Sequence, residues 1–419
     1  ICHLVAEGQQ KKGPSQRFID RFGKVYSPIV LLLGILLAVA PPLLFSAEWA
    51  AWITRATVFI VAAAPCALVI SIPITMVATL GTGARQGVLI KGGIYVERLA
   101  QVNVVAMDKT GTLTRGEPEV TDVVVIRPDK SQPVASPREV LAVAAGIERR
   151  SEHPLARAIV HYAEVQAVAP RELSDFRALT GAGAAARLNG VTLYVGSPDL
   201  FHARLGVSLD GAWDDIQQLQ AEGKTVVVLG DEKAPWGLIA IRDNIRPNAR
   251  KAIDMLHEAG VQKVVMLTGD NQRTAQAIAR ELGIDDVYAD LKPEDKVAKV
   301  RELAEHYGHV TMVGDGVNDA PALAAATVGV AMGAAGTDVA LETADVALMA
   351  DDLEKLAYAL RLAKRNQSVV NQNLALSAVV ISVLVVGAVA GFFSLPIAVL
   401  GHEISEFVVI GSGLRMVRS

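Results

Sequence analysis

The sequence predicts two α-helical transmembrane hairpins flanking a cytoplasmic, Rossmann-like α/β domain into which a second, α+β domain is inserted. Three observations lead there. Long stretches near both ends carry no charge at all: Tyr26–Phe45, Ala56–Ala84 and Asn366–Gly401. Basic residues gather at one set of ends of those stretches. Between Arg85 and Arg365, short β-branched runs alternate with helical stretches, the pattern of a doubly wound sheet. A chain of 419 residues has room for two or three domains, and 51% hydrophobic residues is high for a water-soluble enzyme. The net charge of −4 speaks against a nucleic-acid partner. Two cysteines, Cys2 and Cys66, can build neither a disulfide framework nor a four-thiolate site. The chain begins at Ile1 with no initiator Met and no signal peptide, so it is expected to be a piece of a longer protein.

In chain order, residues 1–25 are expected to form a cytoplasmic, amphipathic lead-in. Residues 26–84 hold the first hairpin, its uncharged runs long enough to cross a bilayer. Residues 85–119 and 236–365 make the two parts of the α/β domain, with strands predicted at Val102–Met107, Lys263–Leu267, Val310–Val313 and Val328–Met332. Residues 120–235 break that rhythm and form the inserted domain. Residues 366–419 hold the second hairpin, with a turn at Phe393-Ser394-Leu395-Pro396 and a last span running to about Leu414. Arg17, Arg21 and Lys24 precede the first span, and Arg85 and Lys91 follow the second. Arg361, Lys364 and Arg365 precede the third, and Arg415 and Arg418 follow the fourth. The positive-inside rule puts all these ends in the cytoplasm and the connections near Glu48 and Ser394 outside, with Arg55 out of step.

The chemistry lies at predicted strand ends. Asp108-Lys109-Thr110-Gly111-Thr112-Leu113-Thr114 follows the apolar run Val102–Met107, and an acid there lies in the crevice where parallel sheets bind ligands. Its carboxylate can attack a γ-phosphoryl group and form an aspartyl phosphate. Lys109 and the hydroxyls of Thr110 and Thr112 can stabilise the transferring group. Thr268-Gly269-Asp270-Asn271 offers a hydroxyl to a phosphoryl oxygen, and Lys296, in Pro293-Glu294-Asp295-Lys296, offers a point charge. Gly314-Asp315-Gly316-Val317-Asn318-Asp319 brings hard oxygen donors suited to Mg²⁺, the ion that phosphoryl transfer needs. Each piece alone could be a turn. Together, in this order and each at a strand end, they form one constellation.

The set DKTGTLT, TGDN and GDGVNDAPAL resembles the phosphorylation domain of P-type ATPases, within the haloacid-dehalogenase superfamily, and the likeness extends over nearly the whole chain. It implies that Asp108 is the phosphorylated nucleophile, with Lys109, Thr110, Thr268, Gly269, Asp270 and Lys296 around the phosphoryl group. It implies that Mg²⁺ is held by Asp108, Thr110, Asp315, Asn318 and Asp319. Ser151-Glu152-His153-Pro154 and Gly181-Ala182-Gly183 resemble the nucleotide domain of the heavy-metal (type IB) branch, which implies an ATP site at Glu148, His153, Gly181 and Gly183. Asp243 and Arg246, in Ile241-Arg242-Asp243-Asn244-Ile245-Arg246, match the family's hinge motif beside the nucleotide. The Gly181–Ala186 run also mimics a dinucleotide fingerprint, but no acidic residue lies at the required distance downstream. No GxxxxGK[ST] loop occurs. The family's actuator domain and its Thr-Gly-Glu loop are absent from the sequence.

The spans speak to substrate. In Ala64-Pro65-Cys66, proline frees an upstream carbonyl, unwound backbone is tolerated where it lines a cavity, and Cys66 offers a soft ligand. In His402-Glu403-Ile404-Ser405-Glu406, ionisable groups lie mid-span, where each charge costs roughly 2.5–3.5 kcal/mol and marks an ion path. Cys66, His402 and Glu403 are the expected ligands of a transported metal, with Glu406 as ligand or counter-charge. Asn371, Asn373 and Ser377 are the next candidates. The His-Glu pair is similar to a subgroup with Ser-Pro-Cys and His-Glu-Gly motifs, associated with cobalt and other divalent metals. Ala64, Ile404 and Glu406 depart from that pattern. One thiolate with imidazole and carboxylate suits Co²⁺, Zn²⁺, Cd²⁺, Ni²⁺ or Fe²⁺ better than Cu⁺.

The expectation is thus a multi-pass, monomeric plasma-membrane pump that exports a divalent transition metal, with Mg²⁺ and ATP as cofactor and substrate and the bilayer as partner. The rival is a membrane-tethered phosphatase or phosphotransferase of the same superfamily. Such phosphatases carry a second Asp two residues after the nucleophile. Here that position is Thr110, which favours a lasting phosphoenzyme. A metal sensor or scaffold without turnover does not explain the full phosphorylation set.

Overall fold

The computed structural model describes residues 13–126, 136–179, 181–316, 319–333 and 342–418. Helices α1 (Pro14–Phe45), α2 (Trp49–Ala62) and α3 (Cys66–Arg85) open the chain, followed by β1 (Val88–Ile90), α4 (Gly93–Leu99) and β2 (Val104–Asp108). Next come β3 (Thr114–Val125), α5 (Pro137–Glu148), α6 (Pro154–Val165), β4 (Ser174–Leu179), β5 (Gly183–Leu188) and β6 (Val191–Gly196). Then follow α7 (Trp213–Ala221), β7 (Thr225–Gly230), β8 (Pro235–Ile245), α8 (Ala249–Glu258), β9 (Lys263–Leu267), α9 (Gln272–Leu282) and β10 (Asp286–Tyr288). The chain closes with α10 (Pro293–Tyr307), β11 (Val310–Gly314), α11 (Ala320–Ala325), β12 (Val328–Met332), β13 (Val346–Leu348), α12 (Glu354–Ala390) and α13 (Leu395–Leu414). It divides into two compact units: residues 1–103, 308–311 and 326–419, and residues 104–307 with 312–325.

Among the described residues, the first unit holds four helical segments long and apolar enough to cross a membrane, Arg17–Phe45, Trp49–Arg85, Glu354–Ala390 and Leu395–Arg418. Two of them start earlier than their uncharged runs. Helix α1 begins at Pro14 rather than near Tyr26, and α12 at Glu354 rather than near Asn366, because charged turns continue a helix as readily as apolar ones. The expected turn at Phe393–Pro396 lies slightly upstream: Gly391 caps α12 in the left-handed region, and Pro396 sits in the first turn of α13, where its missing N–H costs nothing. The second span is broken at Ala63-Ala64-Pro65. The Ala63 carbonyl freed there accepts a 2.9 Å hydrogen bond from the Tyr26 hydroxyl.

Helices α3 and α12 carry buried polar residues, Ser71, Thr75, Thr79 and Thr82 on the first and Asn366, Asn373 and Ser377 on the second. Thr79 Oγ1 bonds Asn366 Oδ1 at 2.8 Å. Arg55, out of step by charge, lies against Gly391 at the C-terminal end of α12 and 4.8 Å from the Trp52 ring. A cation there meets the negative end of the helix dipole. In the same unit β13 pairs antiparallel with β1 and parallel with β12.

In the second unit β3, β8, β7, β6, β5 and β4 form an antiparallel sheet in that order. Its central strands read as unbroken apolar runs because both faces are buried. Val227, Leu229, Ile239 and Ile241 pack under α5 and α6, while Val226, Val228, Leu238 and Ala240 pack against Phe201, Ile216 and Leu219 on the opposite face. Strands β3 and β8 pair from Thr114↔Ile245 to Val125↔Gly237, so the edges expected at residues 120 and 235 fall inside these two strands. Strand β2 runs parallel to β9, with Asp108 opposite Leu267, and β9 parallel to β10. Asp108 is thus the last residue of its strand rather than the first after it.

Candidate functional site

Three places in the structure collect the chemistry. The first is the carboxyl end of β2 and β9. The chain leaves Asp108 through a tight turn in which Gly111 has φ +74°, and a Cβ there would press on the Asp315 side chain at 3.3 Å. Asp108 is 5% exposed. Lys296 Nζ lies 2.5 Å from Asp108 Oδ1 and 2.9 Å from Asp319 Oδ1. Lys109 Nζ pairs with Asp270 at 2.6 Å, and the Thr268 hydroxyl accepts from the Asp270 amide at 3.1 Å.

Burial and the neighbouring Asp319 push the Asp108 carboxyl up to about 7, against the pull of Lys296. Burial likewise raises Asp319. Lys296 is raised because the two carboxylates outweigh its own desolvation. A cavity of about 300 Å³ opens here, lined by Asp108, Lys109, Thr110, Asp315 and Lys296, with Thr268, Gly269 and Asp270 on the β9 side. Asp319 lies beneath it, 2% exposed, with Oδ2 making no hydrogen bond among the described residues. Thr112 is fully buried and does not line the cavity, which corrects the expectation that its hydroxyl serves the transferring group. Asn318 lies outside the described residues.

The hinge segment acts on this turn through its backbone. Asp243 accepts from Thr114 Oγ1 at 2.6 Å and from the Gly116 and Glu117 amides at 3.1 Å, and it lines the same cavity. Arg246 donates to the Thr112 and Gly111 carbonyls, each at 2.9 Å, and lines neither this cavity nor the next.

The second place is a cavity of about 410 Å³ on the antiparallel sheet, lined by Glu148, His153, Gly181 and Gly183. At Gly183, φ is +151° and a Cβ would collide with the Val195 carbonyl, so only glycine fits. Burial pushes Glu148 up to about 7, partly offset by a hydrogen bond with Ser151. His153 is the N-cap of α6: its Nδ1 accepts from the Leu155 amide at 3.3 Å. That bond requires Nδ1 unprotonated and puts the neutral ring's proton on Nε2, and burial lowers its pKa further. His153, Leu155 and Thr225 line both cavities. The sequence reading missed Leu155 and Thr225, whose apolar and hydroxyl side chains carry no motif of their own.

The third place lies in the first unit. One donor atom each from Cys66, His402 and Glu406 lies within 4.8 Å of the others. Glu403 is exposed and is not one of the three residues of this cluster. Residues four apart share a helix face, whereas Glu403 is turned about 100° from His402. Asn373 and Ser377 are buried, and Asn371 is exposed.

Residues 102–327 match the haloacid dehalogenase-like hydrolase family. The whole chain is 42% identical to a probable cadmium-transporting ATPase of Alkalihalophilus pseudofirmus, covering 58% of it. It is 41% identical to a zinc/cadmium/lead-transporting P-type ATPase of Escherichia coli, covering 55% of that protein. Among solved structures, a zinc-transporting PIB-type ATPase in an E2·Pi state superposes with TM-score 0.77 at 39% identity, over 100% of this chain and 66% of that one. The chain thus spans somewhat more than half the length of the curated relatives it matches.

Proposed function

Because the chain belongs to the haloacid dehalogenase-like hydrolase family, we propose that it is the catalytic and C-terminal membrane part of a P-type ATPase that moves a divalent transition metal across the plasma membrane. The observation that carries this reading is the Asp108–Lys296–Asp319 cluster at the end of β2, opening on a cavity that His153 shares with the Glu148 pocket. In this reading the adenine of ATP lies beside Glu148, Gly181 and Gly183, and its phosphates pass His153 toward Asp108. The Asp108 carboxylate attacks the γ-phosphorus, the bond to the bridging oxygen breaks, and ADP leaves. Lys296 and Lys109 bear on the charge of the transferring oxygens. Asp243 and Arg246 hold the turn that carries Thr110. With Thr110 where a phosphatase has its general acid, the acyl phosphate outlives its formation.

The donor chemistry fits a resident magnesium ion. Asp108 and Asp319 share Lys296, Lys109 is paired with Asp270, and burial, together with the nearby Asp319 and Asp315 carboxylates, raises Asp108. Asp108, Asp315 and the Thr110 carbonyl would hold Mg²⁺, which supplies charge neutralisation for phosphoryl transfer. Asp319, buried on Lys296, acts by positioning that lysine.

The relatives' printed substrates, cadmium, zinc and lead, support a divalent transition or heavy metal as cargo, carried by the third cluster. The test is phosphorylation from ATP: Asp108→Asn should abolish acid-stable labelling of the protein, a loss of at least a hundred-fold. Label that persists in the variant, or maps to another residue, overturns the reading.

A further inference from the structure

We propose that Asn271 and Thr274 are positioning residues that latch the inserted sheet to the phosphorylation site, keeping the Glu148 cavity and the Asp108 cavity in register for ATP. This rests on the reading of those two cavities given above. It goes beyond that reading by giving a task to the last residue of Thr268-Gly269-Asp270-Asn271, which lines neither cavity. Asn271 caps α9: its Oδ1 accepts from the Thr274 amide at 3.0 Å. An amide N–H only donates, so the Asn271 oxygen must face it and the NH₂ must turn the other way. That NH₂ donates to Thr274 Oγ1 at 2.9 Å. The Thr274 hydroxyl has one proton, and it goes to the Lys224 carbonyl at 3.0 Å. Thr274 is 1% exposed, so bulk water does not replace these partners. The relay runs in one direction, from the cap of α9 to the turn before β7.

That turn borders the site. Lys224 lies between α7 and β7, and the next residue, Thr225, lines both cavities. The same face of α9 continues the contact. At Gly223, φ is +77° and a Cβ would lie 3.4 Å from Ile278 Cγ1 and 3.8 Å from Ala277 Cβ. Further along, Glu281 pairs with Arg242 of β8 at 2.6 Å. Positions 274, 277, 278 and 281 recur three and four apart and so share one side of the helix. Consecutive residues of the motif thus serve different partners. Asp270 holds Lys109 beside Asp108, and Asn271 sets the hydroxyl that reaches the inserted sheet. A nucleotide that spans the two cavities needs both in place. Inorganic phosphate, confined to the Asp108 cavity, needs only one.

The experiment compares phosphorylation by ATP and by inorganic phosphate in the whole protein in detergent. Thr274→Val keeps the branched shape and removes the hydroxyl. Asn271→Asp keeps the capping oxygen, but its second oxygen only accepts and draws the Thr274 proton away from Lys224. Both should raise the KM for ATP about five-fold, the weight of one buried neutral hydrogen bond. The maximal labelling rate and labelling by inorganic phosphate should each stay within two-fold of the parent. Thr274→Ser, which keeps the hydroxyl, should retain the parental KM. Equal losses with ATP and with phosphate would reduce the pair to a cap for α9 and overturn the proposal, as would a parental KM in both variants. A raised KM in Asn271→Asp alone would trace to its added charge and overturn it too. Labelling of Asp108 in the parent is the separate check on the underlying reading. Should Thr274→Val not fold, Asn271→Ser takes its place with the same expected split, since it keeps a capping oxygen and carries neither amide nor charge.

Discussion

His153 illustrates how much one side chain is asked to do. Its Nδ1 caps α6, its ring lines two cavities, and the cap works only while the ring is neutral. Because burial depresses its pKa in the folded protein, the stability it lends is present above the unfolded value near 6.5 and is lost as pH falls through the lowered folded value. His153→Asn keeps a good cap but removes the ring. We expect that variant to melt like the parent at pH 7.5 and to lose less stability below pH 6.5. Its ATP affinity should fall about ten-fold or more, while phosphorylation by inorganic phosphate survives. An Asn variant with parental ATP affinity would make His153 a cap and nothing more.

Glu148 shows the opposite sign. Its carboxyl is raised to about 7 by burial, so the cost of ionising it in the fold is absent below pH 4.5 and complete above about 7. Glu148→Gln should therefore stabilise the protein at pH 8 by on the order of 2–3 kcal/mol and by nothing at pH 4, in thermal melts. The same change should weaken ATP binding at both pH values if the side chain serves the nucleotide.

At the scale of elements, what the sequence disclosed depended on how local the chemistry is. Asp108, Thr268 and Asp315 were legible because strand-end turns carry their motifs in consecutive residues. The break at Pro65 was legible from one residue type. The choice between Glu403 and Glu406 was not, because the rotation of α13 is set by packing on α3 and not by composition. Tyr26 was hidden for a related reason, since its partner is a main-chain carbonyl 37 residues away. The α3–α12 contact is of this kind too. Thr79→Val should destabilise the protein by about 1 kcal/mol, and so should Asn366→Leu, because each leaves a buried polar partner unsatisfied. The double variant should cost less than the sum by about 0.6–1.7 kcal/mol. Strict additivity in detergent melts would show that the 2.8 Å contact carries no coupling.

For the molecule as a whole, the basic flanks and the four apolar helices support a topology with both hairpin connections outside and both soluble stretches in the cytoplasm. Arg55, the exception by charge counting, has its own partners in Trp52 and the end of α12, so it does not disturb the assignment. Single cysteines introduced at the exposed positions Glu48 and Gln86, in a background with both Cys2 and Cys66 replaced by Ala, should label from opposite sides of sealed vesicles. Labelling of both from one side would break the two-hairpin arrangement. The sequence made this level the most readable, because bilayer thickness fixes span length independently of any tertiary contact. What it left open was where the helices continue beyond the hydrocarbon.

Helix α12 contains no proline and runs for 37 residues, about 55 Å of unbroken helix. Beside it, tied through Thr79 and Asn366, lies a span jointed at Ala63–Pro65. A stiff pushrod strapped to a jointed one cannot absorb an axial stroke along its own length. Displacement applied at Glu354 is carried undiminished to the strap, and the compliance of the pair is concentrated at the joint. That joint is where Cys66 sits, so the give of the jointed span lies directly beneath a single thiol.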